Sequence, residues 1–156
     1  MHHTTDALTD TTTDVCLDVI DTPDDLPAWL TLDDLADFMH RSLKPYEDPL
    51  PTVRRGLEDA FSTGGFLVLA TSGERVLGAL AMLRTGMEGY IPANFLLFVA
   101  VDPATRGQGL GRRIVERAIE RADGDVKLHV EYDNPARRLY ERIGFSSKYA
   151  EMRYSA

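Results

Sequence analysis

Residues 94–122, NFLLFVAVDPATRGQGLGRRIVERAIERA, constrain this chain more than any other stretch. Residues 95–101 are an apolar run of strand length, rich in β-branched and aromatic side chains. Asp102-Pro103 ends the run, because proline has no N–H to give a ladder. Arg106-Gly107-Gln108-Gly109-Leu110-Gly111 follows. A periodic helix then puts Leu110, Ile114 and Ala118 on one stripe, with Gly111, Val115, Ile119 and Ala122 beside it. The order is strand, glycine-rich turn, helix, the unit from which α/β folds are built.

The chemistry of the turn points to a phosphate. Glycines at alternate positions let the backbone approach a ligand with no Cβ in the way. The first helical turn has unpaired N–H groups and a partial positive charge, so turn and helix start together make an anion site. Arg106, Arg112 and Arg113 add full charges around it. A tight turn with arginines for solvation is the plainer alternative. A Walker loop needs Gly-Lys-Ser/Thr, and here Gly111 precedes Arg112-Arg113; a dinucleotide fingerprint needs a glycine at position 112. Both departures disfavour nucleotide binding.

Residues 106–111 resemble the Arg/Gln-x-x-Gly-x-Gly/Ala signature of the GNAT superfamily of acyl-CoA N-acyltransferases, and the preceding Val101-Asp102-Pro103 and the following helix fit it as well. About 30 residues on, Leu139-Tyr140-Glu141-Arg142-Ile143-Gly144-Phe145 is similar to the family's second signature, a Leu-Tyr pair followed by Gly-Phe. The two matches occur in the family's order. The resemblance implies an α/β domain with the GNAT fold: a mixed central sheet flanked by helices, with a splayed parallel strand pair. It implies that the glycine turn (Arg106, Gly107, Gln108, Gly109, Leu110, Gly111, Arg112) holds the pyrophosphate of coenzyme A. Backbone groups of Val99, Ala100 and Val101 would pair with the pantetheine arm and the thioester. The family commonly has an asparagine seven residues before the tyrosine; here that position is Asp133, and Asn134 lies six before. Either residue can take the asparagine's role.

At 156 residues one domain is the natural expectation, with residues 1–14 as a loose Thr/Asp-rich tail and 15–156 as the folded unit. His2 and His3 read as part of that tail rather than as metal ligands, and no metal is implied. No apolar run reaches the roughly 18 residues of a membrane span, and no signal peptide is visible. Cys16 is the single cysteine, so an internal disulfide is impossible; a reducing cytoplasm is the expected compartment, and Cys16 is expected in a strand or the core. The net charge of −8 argues against general nucleic-acid binding. It suits either an acidic solvated surface or the steering of a cationic substrate.

The remaining elements follow from periodicity and punctuation. Residues 15–20 alternate as a first strand. Thr31 is an N-cap for a helix with Leu32, Leu35, Ala36, Phe38 and Met39 on its apolar face. A second helix is expected over 51–61, before Gly64-Gly65. The link between them carries Tyr46, Glu47 and Asp48, and in the resembling family it covers the acceptor site. Residues 66–70 and 76–84 make a hairpin around Ser72-Gly73-Glu74. Asp123-Gly124 is expected to cap the central helix, and residues 126–132 to run parallel beside 95–101. A short helix over 135–143 is capped by Asn134, and the alternation over 149–154 reads as a last strand. The family usually has two strands there, so this end is either truncated or completed by a partner subunit in a homodimer.

Acyl transfer needs three things: a held carbonyl, a neutral amine and a partner for the departing thiolate. Tyr140 is the candidate partner of the sulfur. A phenol near pKa 10 facing a thiol near 8.5 makes full proton transfer uphill by roughly 2 kcal/mol, so Tyr140 donates a hydrogen bond as much as a proton. General acid help of this kind is worth about 10²–10⁴ in rate. An alkyl amine near pKa 10.4 is neutral only about once in 2,500 molecules at pH 7, and Glu88, His129 and Glu131 are the candidates to take its proton. The resemblance thus implies an N-acetyltransferase that uses acetyl-CoA and a small-molecule or peptide amine in a direct ternary complex. The alternative is a non-catalytic acyl-CoA-binding or interaction module on the same fold.

Overall fold

The computed structural model describes residues 14–156; of the expected tail, residues 1–13 lie outside the described residues. Strands β1 (Cys16–Ile20), β2 (Phe66–Ser72), β3 (Arg75–Arg84), β4 (Asn94–Val101) and β5 (Val126–Leu128) form one sheet in that spatial order. The first three pairings are antiparallel and β4 with β5 is parallel. Helices α1 (Leu32–Ser42) and α2 (Leu50–Ser62) cover one face, and α3 (Leu110–Arg121) and α4 (Ala136–Ile143) the other. The expected α/β fold with a mixed, helix-flanked sheet is what forms.

The sheet's middle is buried on both faces, which is why β2 and β3 read as continuous apolar runs. Leu67, Leu69, Ala79 and Ala81 pack under α1 and α2, whereas Phe66, Val68, Ala70, Leu80 and Met82 pack under α3 and α4. α1 begins with a capping box: Asp34 N–H donates to Thr31 Oγ1 at 3.0 Å, and Thr31 N–H to Asp34 Oδ2 at 3.2 Å.

β4 carries a bulge. Ala81 opposes Phe98 but Met82 opposes Leu96, so Leu97 is the extra residue. One added residue reverses side-chain parity. Leu96 therefore packs toward α3, while Phe98 and Ala100 pack toward α1 and α2, although all three sit at even positions. Gly56 makes room for this turnover; a Cβ there would lie 2.5 Å from the Phe98 ring and 2.7 Å from Leu97 Cδ2.

Four differences from the sequence reading bear on the site. Ala122, in extended conformation, ends α3, and Gly124 with φ +95° belongs to the turn after it. α4 starts at Ala136 with Pro135 in the cap position; Asn134 still assists, its Oδ1 accepting from Ala136 N–H at 2.9 Å. β5 stops at Leu128 rather than continuing to 132. The strand expected over 149–154 does not form, and Tyr149, Met152 and Tyr154 are exposed. The last difference follows from the one before it, since a ladder on a three-residue strand has too few hydrogen bonds to order another segment. Cys16 is exposed on β1, in a strand but outside the core.

Candidate active site

The parallel pair β4–β5 meets at only three positions: Asn94 with Val126, Phe95 with Lys127 and Leu96 with Leu128. From Leu97 to Val101, β4 keeps β3 on one side and, among the described residues, has no strand on the other. The two strands thus part at the bulge and leave an opening toward their carboxyl ends, where ligands of open α/β sheets collect. The closed end is fastened by Asn94, a fully buried polar side chain. Its Nδ2 donates to the carbonyls of Asp123 at 2.8 Å and Asp125 at 3.2 Å, and its Oδ1 accepts from Arg84 Nη1 at 3.2 Å. Val99, Ala100 and Val101 all lie on the stretch that is open on the β5 side.

The glycine turn sits at the open end. Asp102 braces it: Oδ1 accepts from Ala104 N–H at 2.9 Å and Oδ2 from Arg75 at 2.6 Å. The backbone bond first, and the arginine second, hold its carboxyl below the usual carboxylate range. Gly107 and Gly109 adopt φ +81° and +79°, and a Cβ at either would meet nothing within 4 Å. Glycine is required there by backbone conformation, and the space beyond stays open. Gly111 differs, for its φ is ordinary and a Cβ would make normal contacts with Leu139 and Val101 at 3.5 and 3.6 Å. α3 starts right after Gly109 with no acidic residue in its first turn, so its N–H groups face the opening uncompensated. Leu110 is buried beneath the turn, whereas Gln108 is exposed. Arg112 pairs with Glu116 at 2.7 Å, and the Arg106 guanidinium donates to the carbonyl of Ser42 at the end of α1.

Tyr140 projects from α4 and is only 8% exposed. Its ring meets Phe145 edge to face at 5.9 Å. Among the described residues its hydroxyl has no hydrogen-bond partner. Burial first, and the nearby Glu131 carboxylate second, push the phenol up to about 12. Tyr46, from the α1–α2 link, donates its hydroxyl to the Asp133 carbonyl at 3.1 Å. Its phenol is likewise raised, by desolvation and then by Asp133 and Glu131. The β5–α4 link is therefore laced to the α1–α2 link, and Arg106 laces the glycine turn to the end of α1. These two bonds close a ring around the opening.

The remaining sequence candidates separate. Glu131 is near both tyrosines, as their perturbation requires. His129 stacks edge to face on Phe95 at 4.8 Å, and burial and Lys127 lower its pKa, so its ring is neutral at pH 7. Glu88 is exposed in the β3–β4 connection, at the fastened end of β4, about 25 Å of strand away from the glycine turn. Asn134 lies beside the opening with its Oδ1 already engaged on Ala136, and Asp133 leaves its side chain exposed. Three contributors escape sequence reasoning: the Leu97 bulge, the Asn94 clasp and the Arg106–Ser42 tie. Only Asn94 leaves a trace in the sequence, as an amide heading an apolar strand.

Residues 29–145 match the model of the acetyltransferase (GNAT) family. The chain belongs to that family. The GNAT match spans the two helices of one face, the splayed strands, the glycine turn and Tyr140. Among curated relatives, mycothiol acetyltransferase of Actinosynnema mirum is 35% identical over 103 residues, covering 63% of this chain and 33% of the relative. Mycothiol acetyltransferase of Pseudarthrobacter chlorophenolicus is 32% identical over 128 residues, covering 78% and 39%. The chain thus spans about a third of the length of the curated relatives it matches. An acetyltransferase of the GNAT family from Streptococcus pneumoniae superposes with TM-score 0.64 at 16% identity, covering 91% of this chain and 98% of that one. An aminoglycoside N-acetyltransferase in complex with CoA superposes with TM-score 0.66 at 12% identity, covering 91% and 95%. These two likenesses establish the GNAT fold.

Proposed function

We propose that this chain is an N-acetyltransferase that moves an acetyl group from acetyl-CoA to a primary amine in a ternary complex. One observation carries the reading: over Leu97–Val101 β4 has lost its neighbour on the β5 side, with an open glycine turn at its end and a buried phenol alongside. The fit to a coenzyme A diphosphate rests on the left-handed Gly107 and Gly109, the free N–H groups opening α3, and Arg106, Arg112 and Arg113 around them. Bound acetyl-CoA would supply an acyl carbon activated as a thioester.

The chain's own groups do the rest. Backbone groups of Val99, Ala100 and Val101 hold the extended arm in place of a missing strand. Asn134 or Asp133 borders that arm. Glu131 takes the proton of the incoming ammonium, directly or through one water, because it is the carboxylate that faces both tyrosines. Tyr140 steadies the sulfur as the C–N bond forms and the C–S bond breaks. With the phenol at about 12 and a thiol near 8.5, complete proton transfer from Tyr140 is uphill by roughly 5 kcal/mol. Tyr140 therefore works as a hydrogen-bond donor; the nitrogen gives its second proton to solvent as the amide forms, and the thiolate takes one back from solvent. We read residues 15–156 as one such domain acting in the cytoplasm.

The test is release of free thiol from acetyl-CoA in the presence of a panel of primary amines. Amine-dependent release supports the reading. Tight coenzyme A binding with no release for any amine would make the chain a binding module.

A further inference from the structure

Residues 130–135, between β5 and α4, carry Glu131 and Asn134, yet little fixes them. β5 stops at Leu128, so the segment has no ladder of its own. Its internal hydrogen bonds are local: Asn134 N–H donates to the Glu131 carbonyl at 3.0 Å, Asn134 Nδ2 to Glu131 Oε2 at 3.4 Å, and Ala136 N–H to Asn134 Oδ1 at 2.9 Å. These bonds close a turn on itself and tie it only to the start of α4. Burial adds the packing of Val130 on the core beneath α3 and α4, while Glu131, Tyr132 and Asp133 are exposed. Among the described residues, a single hydrogen bond joins this segment to a distant part of the chain. It runs from the Tyr46 hydroxyl to the Asp133 carbonyl at 3.1 Å.

Tyr46 is itself well held. Its N–H donates to the carbonyl of Leu43, at the end of α1, at 2.9 Å, and its side chain is half-buried. One residue before Leu43, the Ser42 carbonyl accepts from Arg106. A phenol reaches far with only two side-chain torsions, so it fixes a distant group at low entropic cost. Desolvation first, then the Asp133 and Glu131 carboxylates, raise the Tyr46 phenol, so its hydroxyl keeps its proton at neutral pH and remains a donor. A line of bonded contacts therefore runs from the glycine turn through Arg106, the end of α1 and Tyr46 to the turn that carries Glu131.

From this line of contacts we propose that Tyr46 is a positioning residue for the transfer: by holding the Asp133 carbonyl, it keeps Glu131 where the ammonium of the acceptor gives up its proton. The inference rests on the acetyl-transfer reading and adds a residue to it. Tyr46 acts through the backbone of the β5–α4 link and not on the reacting atoms. Without the hydroxyl, the turn keeps its internal bonds but loses its register with the α1–α2 link, and Glu131 spends less time within reach of the nitrogen. A base must come within about 3 Å of the proton's donor, and a displacement of about 1 Å can cost a hundredfold in rate. That loss falls on amines that arrive charged. An amine already neutral at pH 7 needs no carboxylate to free its lone pair, so its rate depends little on where Glu131 lies.

The test compares the unaltered protein with Tyr46→Phe, which removes one oxygen and keeps the ring. Amide hydrogen exchange on the full chain, loaded with coenzyme A, should rise about tenfold over residues 130–134 and stay unchanged over β2 and β3. Thiol release from acetyl-CoA at pH 7 should fall at least about tenfold with ethylamine, which is charged, and by no more than about threefold with 2,2,2-trifluoroethylamine, which is neutral. In a Glu131→Gln background, Tyr46→Phe should cost ethylamine turnover nothing further. Unchanged exchange over 130–134, equal losses for the two amines, or losses that add to those of Glu131→Gln each overturn the role of Tyr46; equal losses are what a purely structural tyrosine would give. Coenzyme A uptake and amine-dependent release by the unaltered protein, measured first, test the acetyl-transfer reading itself. Their absence sinks that reading and this inference with it, whereas turnover with a Tyr46→Phe loss blind to amine basicity sinks only the role of Tyr46.

Discussion

The guanidinium of Arg106 donates to the backbone carbonyl of Ser42, so the glycine turn is tied to the last turn of the helix on the opposite face of the sheet. The bond anchors the end of α1 where the α1–α2 link begins; in the proposed site the same arginine would also lend charge to the diphosphate. Arg106→Ala is expected to weaken coenzyme A binding by about tenfold, the value of one charge-assisted hydrogen bond. It should also raise amide hydrogen exchange over residues 42–48. Calorimetry and exchange on the same sample check both; unchanged affinity would remove Arg106 from the diphosphate site.

The glycines of the turn are not equivalent. Gly109→Val forces a β-branched residue into the left-handed region at a cost of about 1–2 kcal/mol and moves the start of α3, so coenzyme A affinity should fall at least tenfold. Gly111→Ala adds a methyl at ordinary contact distance and should leave affinity within about twofold. Equal losses from the two variants would mean that Gly111 also meets the ligand at close range.

Tyr140→Phe should lower turnover at least tenfold while coenzyme A still binds. The phenol also predicts a pH response. Its pKa of about 12 in the folded state lies above the ordinary 10 of the unfolded chain, so between pH 10 and 12 the unfolded state loses its proton first. Stability is therefore intact below pH 10 and falls by roughly 3 kcal/mol as the pH rises through 12, a loss that Tyr140→Phe should lack. Denaturant melts of both proteins across that window measure the difference. An identical decline would show that the ring is not shielded.

Asn94→Ala should be the most damaging polar substitution outside the turn. It strips the donors from the Asp123 and Asp125 carbonyls and the acceptor from Arg84, at a cost of about 3 kcal/mol. Thermal melting reads the loss. Because the clasp fastens the closed end of the strand pair, coenzyme A affinity should fall along with it; a stable variant with normal affinity would show that the bulge alone sets the opening.

What the sequence determined by itself was local. Helix α1 was legible from Thr31 and Asp34, the β2–β3 hairpin from Ser72-Gly73-Glu74, and the turn before α3 from glycines whose conformations only glycine tolerates. The end of α4, which carries Tyr140, was legible because Leu139-Tyr140 and Gly144-Phe145 are contiguous. Each of these is fixed by interactions within a few residues, so the pattern is written in the order of the chain. Tertiary structure alone decided the rest. Residues 95–101 are apolar throughout, and nothing in that run marks Leu97 as the bulge; it arises where β4 must satisfy β3 along its whole length and β5 along three residues. The alternation over 149–154 has the period of a strand, yet a strand forms only where an edge can receive it, and β5 ends at Leu128. The ties from Arg106 to Ser42 and from Tyr46 to Asp133 join residues 64 and 87 positions apart. Sequence periodicity reports which face of an element is apolar; where elements part and what crosses the gap depends on packing between segments far apart in the chain.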